Sequence, residues 1–132
     1  MIFIVVKFPV KPELADQWPE LTREFTEATR AEPGNKWFEW SRSLDDPNEY
    51  VLVEAFDDDA AEAHVKSDHF QAATATGGPM HSALAATPKI ISRQIDGDDW
   101  DAMGELQVDW SSTEAAVPIG TTSSAETAAR VH

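Results

Sequence analysis

Cysteine is absent from the chain, and basic residues are scarce. The lack of cysteine excludes disulfides, thiolate nucleophiles and cysteine-based metal or iron–sulfur sites. Ten lysines and arginines stand against 24 aspartates and glutamates, which gives a formal net charge of −14. Such a charge disfavours contact with phosphate backbones and anionic lipid surfaces. We therefore predict that neither a nucleic acid nor a membrane is a partner.

Long apolar runs and nucleotide-binding motifs are also missing from the sequence. No stretch approaches the roughly 18–20 apolar residues of a membrane span, and the apolar start MIFIVVKF is short and contains Lys7. No glycine-rich nucleotide loop, P-loop or nucleophile elbow occurs, so no motif predicts a stably bound flavin or nicotinamide. We predict a soluble, cytoplasmic protein.

What is present is a pattern of apolar residues that predicts an α+β fold. Strands are predicted at residues 2–8, 35–43, 50–56 and 88–96, and helices at 13–31 and 57–74. The second and third strands flank the turn Asp45-Asp46-Pro47-Asn48 and are predicted to form a hairpin. The resulting order, β-α-β-β-α-β, is that of the ferredoxin-like fold.

The predicted domain comprises residues 1–96, with one or two further helical turns over 80–86. Residues 97–110 are acidic with a few apolar side chains, and we predict an arm that could pack on a partner. Residues 111–132 consist mainly of Ser, Thr, Ala and small apolar residues without a clear period, which predicts a disordered tail.

The predicted fold has a consequence for assembly, because both helices lie on one face of the sheet. The first and third strands carry apolar residues on both sides, so the opposite face would expose a large apolar surface. Two such sheets facing each other about a two-fold axis would bury it. We predict a homodimer, the dimeric α+β barrel, with a pocket for an aromatic ligand between the two copies.

Two histidines, His64 and His69, are the candidate proton carriers, because imidazole titrates near neutral pH. Five residues correspond to about 140° of rotation on an unbroken helix, so the two side chains are not expected to share one face. A two-histidine metal site on a helix prefers a spacing of four, and no HExxH motif occurs. No metal site is predicted. The alternative for each histidine is a partly exposed or hydrogen-bonded helix residue.

Other candidates for the site lie on the predicted strands. Glu54 is either a base or polar anchor with a raised pKa, or a structural partner for Arg42, Arg93 or Lys7, and we favour the structural role. Asn35 is a pocket amide or a turn residue. The bulky candidates for the pocket wall, which could equally be plain core, are Trp37, Trp40, Tyr50 and Phe56.

Four segments in this order resemble the antibiotic biosynthesis monooxygenase family, in particular its small quinol-monooxygenase-like members. They are KPE with the helix after it, AEPGN, DDPNEYVLVEAF and HVKSDHF, within residues 1–96. The resemblance implies a ferredoxin-like homodimer that uses dioxygen as co-substrate with no metal or flavin. It also implies an electron-rich phenol, anthrone or quinol as substrate, whose anion reduces dioxygen and ends as a quinone.

The sequence departs from the heme-degrading members of that family at three positions. Residues 2–10 contain no asparagine, Phe56 occupies the position of a tryptophan, and Thr74 stands where the heme-ligating histidine would be. Heme degradation is therefore not predicted. Two further hypotheses stay open beside the monooxygenase: an isomerase or epimerase of a small carbonyl metabolite, and a non-catalytic dimer that binds an aromatic metabolite.

Overall fold

A computed structural model of the chain describes residues 1–110. Strand β1 is Ile2–Pro9, and a 3₁₀ helix at Pro12–Gln17 leads into helices α1, Trp18–Leu21, and α2, Arg23–Arg30. The hairpin follows as β2, Asn35–Arg42, and β3, Glu49–Phe56. The remaining elements are α3, Ala60–Lys66; α4, Asp68–Thr74; α5, Pro79–Ala83; β4, Lys89–Gln94; and a 3₁₀ turn at Gly104–Leu106.

The four strands form one antiparallel sheet in the order β2-β3-β1-β4. The predicted hairpin is present, and β1 lies between β3 and β4. The predicted ferredoxin-like α+β fold is confirmed. The long first helix predicted for 13–31 is instead three pieces, because Pro19 lacks an amide hydrogen and the Thr22 hydroxyl donates to the Trp18 carbonyl.

The core lies between the helices and one face of the sheet. Alternation along the strands directs Ile4, Val6, Leu52 and Phe56 to this face, where each is buried. From the helices, Trp18 and Phe25 are buried against them.

The second face of the sheet presents the alternate residues, which stay partly accessible. Val5 pairs with Val53 and with Ile91, so these three side chains share that face. Ile91 retains 62% of its exposure, and Val5 and Val53 are half-buried. The sheet therefore has an open face, whose apolar residues include Phe3, Val5, Val51, Val53 and Ile91.

Residues 1–98 form one compact unit, and residues 99–110 belong to a second one. In the second unit the side chains from 99 to 110 are exposed, and its regular structure is the Gly104–Leu106 turn. The predicted packing of the arm on a partner stays a prediction, and the predicted tail at 111–132 lies outside the described residues. Over residues 1–110, no helix combines the length and apolar character needed to cross a bilayer.

Candidate functional site

The helix predicted for residues 57–74 is broken at Ser67. Helix α3 ends at Lys66, and Ser67 has extended backbone angles, φ −67° and ψ 152°. Its hydroxyl donates to the His64 carbonyl at 2.6 Å and accepts from the Phe70 amide at 3.2 Å, so it ends one helix and caps the next. The expectation that His64 and His69 cannot share a face is therefore wrong, since it assumed an unbroken helix.

Both histidines converge on one carboxylate oxygen. His64 Nδ1–H donates to Glu32 Oε2 at 2.7 Å, and His69 Nε2–H donates to the same oxygen at 2.5 Å. Glu32 lies in the turn between α2 and β2, where its amide donates to the Thr29 carbonyl at 3.0 Å. We refer to Glu32, His64 and His69 as the Glu–His–His triad. Sequence analysis missed Glu32, which lies within the AEPGN segment.

The position of the turn depends on a close approach of its backbone to α3. A Cβ atom on Gly34 would overlap the Cβ of Ala60, so only glycine fits there without a shift. The Gly34 carbonyl accepts from the Asp57 amide at 2.9 Å, which fastens the turn to the start of the helical segment. This approach carries Glu32 to within hydrogen-bonding distance of His64.

Aromatic rings surround His64, which is 5% exposed. Its ring centroid lies 4.8 Å from that of Phe56, 5.1 Å from Phe70 and 5.8 Å from Phe25. In such apolar surroundings a hydrogen bond to a carboxylate is strengthened and the imidazole is fixed in orientation. Phe56 therefore belongs to the site as a wall behind His64.

Glu54 provides a second carboxylate near His64, which is more deeply buried than that of Glu32. It is 6% exposed, and its Oε1 lies 4.0 Å from His64 Nε2. Burial, and secondarily the negative charge of Glu32, raises the pKa of Glu54 to about 7. The ion pair we favoured from sequence is not formed with Arg42, which binds Asp16 at 2.8 Å.

The other two suggested partners of Glu54 lie on the wrong side of the sheet. Lys7 pairs with Val51, and Arg93 pairs with Phe3, so both share the open face, whereas Glu54 faces the helices. The structural partners predicted for Glu54 are therefore wrong. Its buried surroundings raise its pKa, as the alternative interpretation assumed.

A cavity of about 410 Å³ opens beside the triad, a volume typical of small-molecule sites. His69, whose side chain is 26% exposed, is the triad residue that lines it. The remaining walls are mostly apolar and come from the helices: Leu21, Glu24, Phe25, Ala28, Ala72, Ala73, Pro79 and Met80. The cavity lies within one chain among its helices, and the pocket predicted between two copies of the sheet stays a prediction.

Four of the predicted site residues do not line the cavity beside His69. Trp40 and Tyr50 line a different cavity of about 240 Å³ with Trp18. Their polar atoms bind within the chain: Trp40 Nε1 donates to Thr26 Oγ1, and the Tyr50 hydroxyl donates to the Ala15 carbonyl, both at 2.9 Å. These residues belong to an aromatic cluster of the core.

Asn35 and Trp37 are also separate from the cavity beside His69. Asn35 Nδ2 donates to the Trp37 carbonyl at 3.1 Å and to the Ala55 carbonyl at 3.4 Å, at an irregularity in the β2–β3 pairing. The turn role considered for Asn35 fits its backbone, because its amide donates to the Glu32 carbonyl at 3.1 Å. Trp37 pairs with Ala55, which alternates with Glu54 and Phe56, and so Trp37 lies toward the open face.

The triad also supplies two imidazoles and a carboxylate, a set of donors known from metal sites. The three donor atoms lie within 4.8 Å of one another. The 2.5 and 2.7 Å distances from Glu32 Oε2 are those of charge-assisted hydrogen bonds, whereas nitrogen and oxygen ligands about 2.1 Å from a metal ion stand roughly 3 Å or more apart. The geometry observed is that of a hydrogen-bonded triad.

Comparison with known proteins places these features in a family. Residues 1–76, more than half of the chain, match the family described as antibiotic biosynthesis monooxygenase. The "Putative monooxygenase YcnE" of Bacillus subtilis strain 168 is 30% identical over 84 residues, which cover 63% of this chain and 88% of that protein.

Solved structures agree with this match. The "Putative antibiotic biosynthesis monooxygenase" from Nitrosomonas europaea is 28% identical, with a TM-score of 0.64 over 74% of this chain and 100% of that one. A protein of the same description from Caulobacter crescentus CB15 is 25% identical, with a TM-score of 0.64 over 74% of this chain and 90% of that one. The chain belongs to the antibiotic biosynthesis monooxygenase family.

Proposed function

We propose that this protein is a monooxygenase that oxidises an electron-rich aromatic hydroxyl compound, such as a quinol, anthrone or polyphenol, with dioxygen to a quinone. No metal or organic cofactor takes part, and dioxygen is the co-substrate. The observation that carries the proposal is the placement of His69, which lines an apolar cavity and is held from behind by the half-buried carboxylate of Glu32.

The proposed reaction starts with removal of the substrate's hydroxyl proton. Glu32 accepts a hydrogen bond from His69 Nε2–H, so the second ring nitrogen, Nδ1, carries the lone pair that takes the proton. Glu32 then stabilises the imidazolium, as the carboxylate does in hydrolase triads. His64 positions Glu32 through the second hydrogen bond to the same oxygen.

The aromatic anion provides the electrons for the oxygen step. It transfers one electron to dioxygen, and the resulting radical pair combines to form a carbon–oxygen bond. The peroxide takes up a proton to become a hydroperoxide. Its carbon then loses hydrogen as a proton, the O–O bond breaks and water leaves, so that one oxygen atom enters the quinone. An apolar cavity favours these steps because it holds the aromatic rings and excludes water.

We also propose a homodimer formed through the open apolar face of the sheet. Support comes from Val5, Val53 and Ile91, which share that face and remain partly or largely accessible in one chain. In this arrangement each subunit keeps its own cavity on the helix side of its sheet.

The first experiment is oxygen uptake by metal-stripped protein with hydroquinones, naphthols and anthrones, measured against autoxidation without protein. We expect saturable uptake with a quinone product. His69→Ala and Glu32→Gln should each lower the rate at least about 100-fold, since a positioned acid–base group contributes about 10²–10⁴. His81→Ala is the control, because His81 lies outside the triad and accepts from the Gly77 amide.

Two results would replace the proposal by its alternatives. Oxygen-independent exchange of substrate protons with solvent, lost in His69→Ala, would indicate an isomerase. Tight binding of an aromatic compound with neither oxygen uptake nor proton exchange would indicate a binding protein. Full activity of His69→Ala would contradict the proposed proton acceptor under either chemistry.

A further inference from the structure

The cavity beside His69 has an uneven distribution of charge. Glu24 is the charged residue in its wall, and among the described residues that line it none is a lysine or arginine. Behind His69 lies Glu32, and deeper in the core lies Glu54. The carboxylates of Glu24 and Glu32 therefore give a ligand acidic surroundings, and no lysine or arginine among the described lining residues offsets their charge.

The second cavity of the chain provides a contrast. Its walls include Arg23 and Arg30 beside Trp18 and Trp40. Arg30 donates from Nε and Nη2 to the Phe38 carbonyl at 3.0 and 2.9 Å, so its guanidinium is held at this side of α2. The α2 helix thus places Arg23 and Arg30, together with Glu27, at the cavity of the aromatic cluster, whereas it places Glu24 alone among its charged residues at the cavity of His69.

From this asymmetry we infer that the cavity beside His69 selects an uncharged aromatic compound with a dissociable hydroxyl, and that Glu24 rejects relatives that carry a carboxylate, sulfate or phosphate. A ligand anion would lose its hydration in a mostly apolar cavity, and the wall would repel it instead of pairing with it. The hydroxyl of the selected substrate is neutral on entry and becomes an anion only as His69 takes the proton, so charge is created beside an imidazolium.

This inference rests on the proposed function for the site but names the class of substrate. It also identifies Glu24 as a specificity residue rather than a catalytic one. Catalysis would require His69 in any variant, whereas the preference for neutral ligands would follow the charge at position 24.

Binding without turnover tests the inference. Affinities for 1-naphthol and for 1-hydroxy-2-naphthoic acid, measured by titration calorimetry under nitrogen, give a preference ratio for each protein. We expect the wild type to bind the neutral compound at least about tenfold more tightly. Glu24→Lys should lower that ratio about tenfold. Glu27→Lys makes the same change of charge on the same helix but lines the other cavity, and should leave the ratio within about twofold.

Equal affinity of the wild type for both compounds would overturn the inference, as would a ratio that changes equally in Glu24→Lys and Glu27→Lys. Failure of both compounds to bind would overturn it as well. Preferential binding of 1-naphthol without oxygen uptake in air, across the panel of phenols, would leave the selectivity standing while the monooxygenase proposal fails.

Discussion

His64 and His69 are five residues apart on successive helices, yet their ring nitrogens bind the same oxygen of Glu32. Their ring centroids are 5.9 Å apart. A regular helix would have turned the two side chains away from each other, and the extended residue at Ser67 removes that turn. The convergence of the two histidines on Glu32 is therefore a product of a helix break.

Replacement of Ser67 tests this relationship. Ser67→Ala removes a hydroxyl that donates to the His64 carbonyl and caps α4 through the Phe70 amide. We expect the free energy of unfolding to fall by about 1 kcal/mol, as for other lost N-caps, together with a lower rate of oxygen uptake. Urea unfolding and oxygen uptake measure the two effects. Ser82→Ala is the control, since its hydroxyl donates to the Gly77 carbonyl outside the triad, and equal effects of both variants would contradict the prediction.

The raised pKa of Glu54 predicts a pH dependence of stability. Below its ordinary pKa of 4.5 the side chain is protonated in both states, and no penalty arises. Between 4.5 and about 7 the unfolded chain ionises while the folded chain keeps the proton, so the free energy of unfolding falls with rising pH. The loss is complete above about pH 7 and amounts to about 3 kcal/mol at most.

Glu54→Gln removes this pH dependence. Urea unfolding at pH 5 and pH 8 should show a smaller loss of stability in the variant than in the wild type. Glu39→Gln, an exposed carboxylate on the same sheet, should behave as the wild type. An identical difference between the two pH values in all three proteins would show that Glu54 ionises normally.

The open face of the sheet predicts the assembly state. Val53 lies within it, and Val53→Asp would place a charge inside the proposed dimer interface. We expect sedimentation to show a wild-type dimer, and a dissociation constant at least about tenfold higher in the variant. Val65→Asp adds the same charge at a helix position that is 48% exposed and should remain a dimer. A monomeric wild type would refute the prediction.

The hydrogen-bonded geometry of the triad predicts that a chelator does not change the rate of oxygen uptake. Treatment with EDTA and gel filtration should leave oxygen uptake unchanged, because the donor atoms of Glu32 and the two histidines already bind each other. Elemental analysis of the treated protein is the control for metal removal. A rate that is lost and returns with one particular ion would instead make the triad a metal site.

Strand positions and facing were predictable from sequence, but residues on one face of a strand line the same cavity only when they are also close along the strand. Tyr50 and Phe56 share a face of β3, as the alternation predicts. Six residues of strand separate them by about 20 Å, however, so they cannot line one small cavity. Phe56 contacts His64, and Tyr50 belongs to the cluster around Trp18.

The hydrophobic periodicity of the sequence could not predict the triad. The apolar pattern of residues 57–74 fits one helix, and the local signal for the break is Ser67 followed by Asp68, a pair typical of a helix start. Glu32 lies in a turn, where no period fixes the direction of a side chain. Its contact with His64 and His69 spans more than 30 residues and depends on how the turn packs against α3.

The tight contact of Gly34 with Ala60 means that the packing of the turn against α3 sets the distance between Glu32 and the two histidines. A methyl group added at position 34 would push the turn away from the helix, and Glu32 would move with the turn. Among related sequences, a larger residue at the position of Gly34 is expected to occur together with compensation at the position of Ala60. Evolutionary selection on the geometry of the site would then act on two residues that do not contact the substrate.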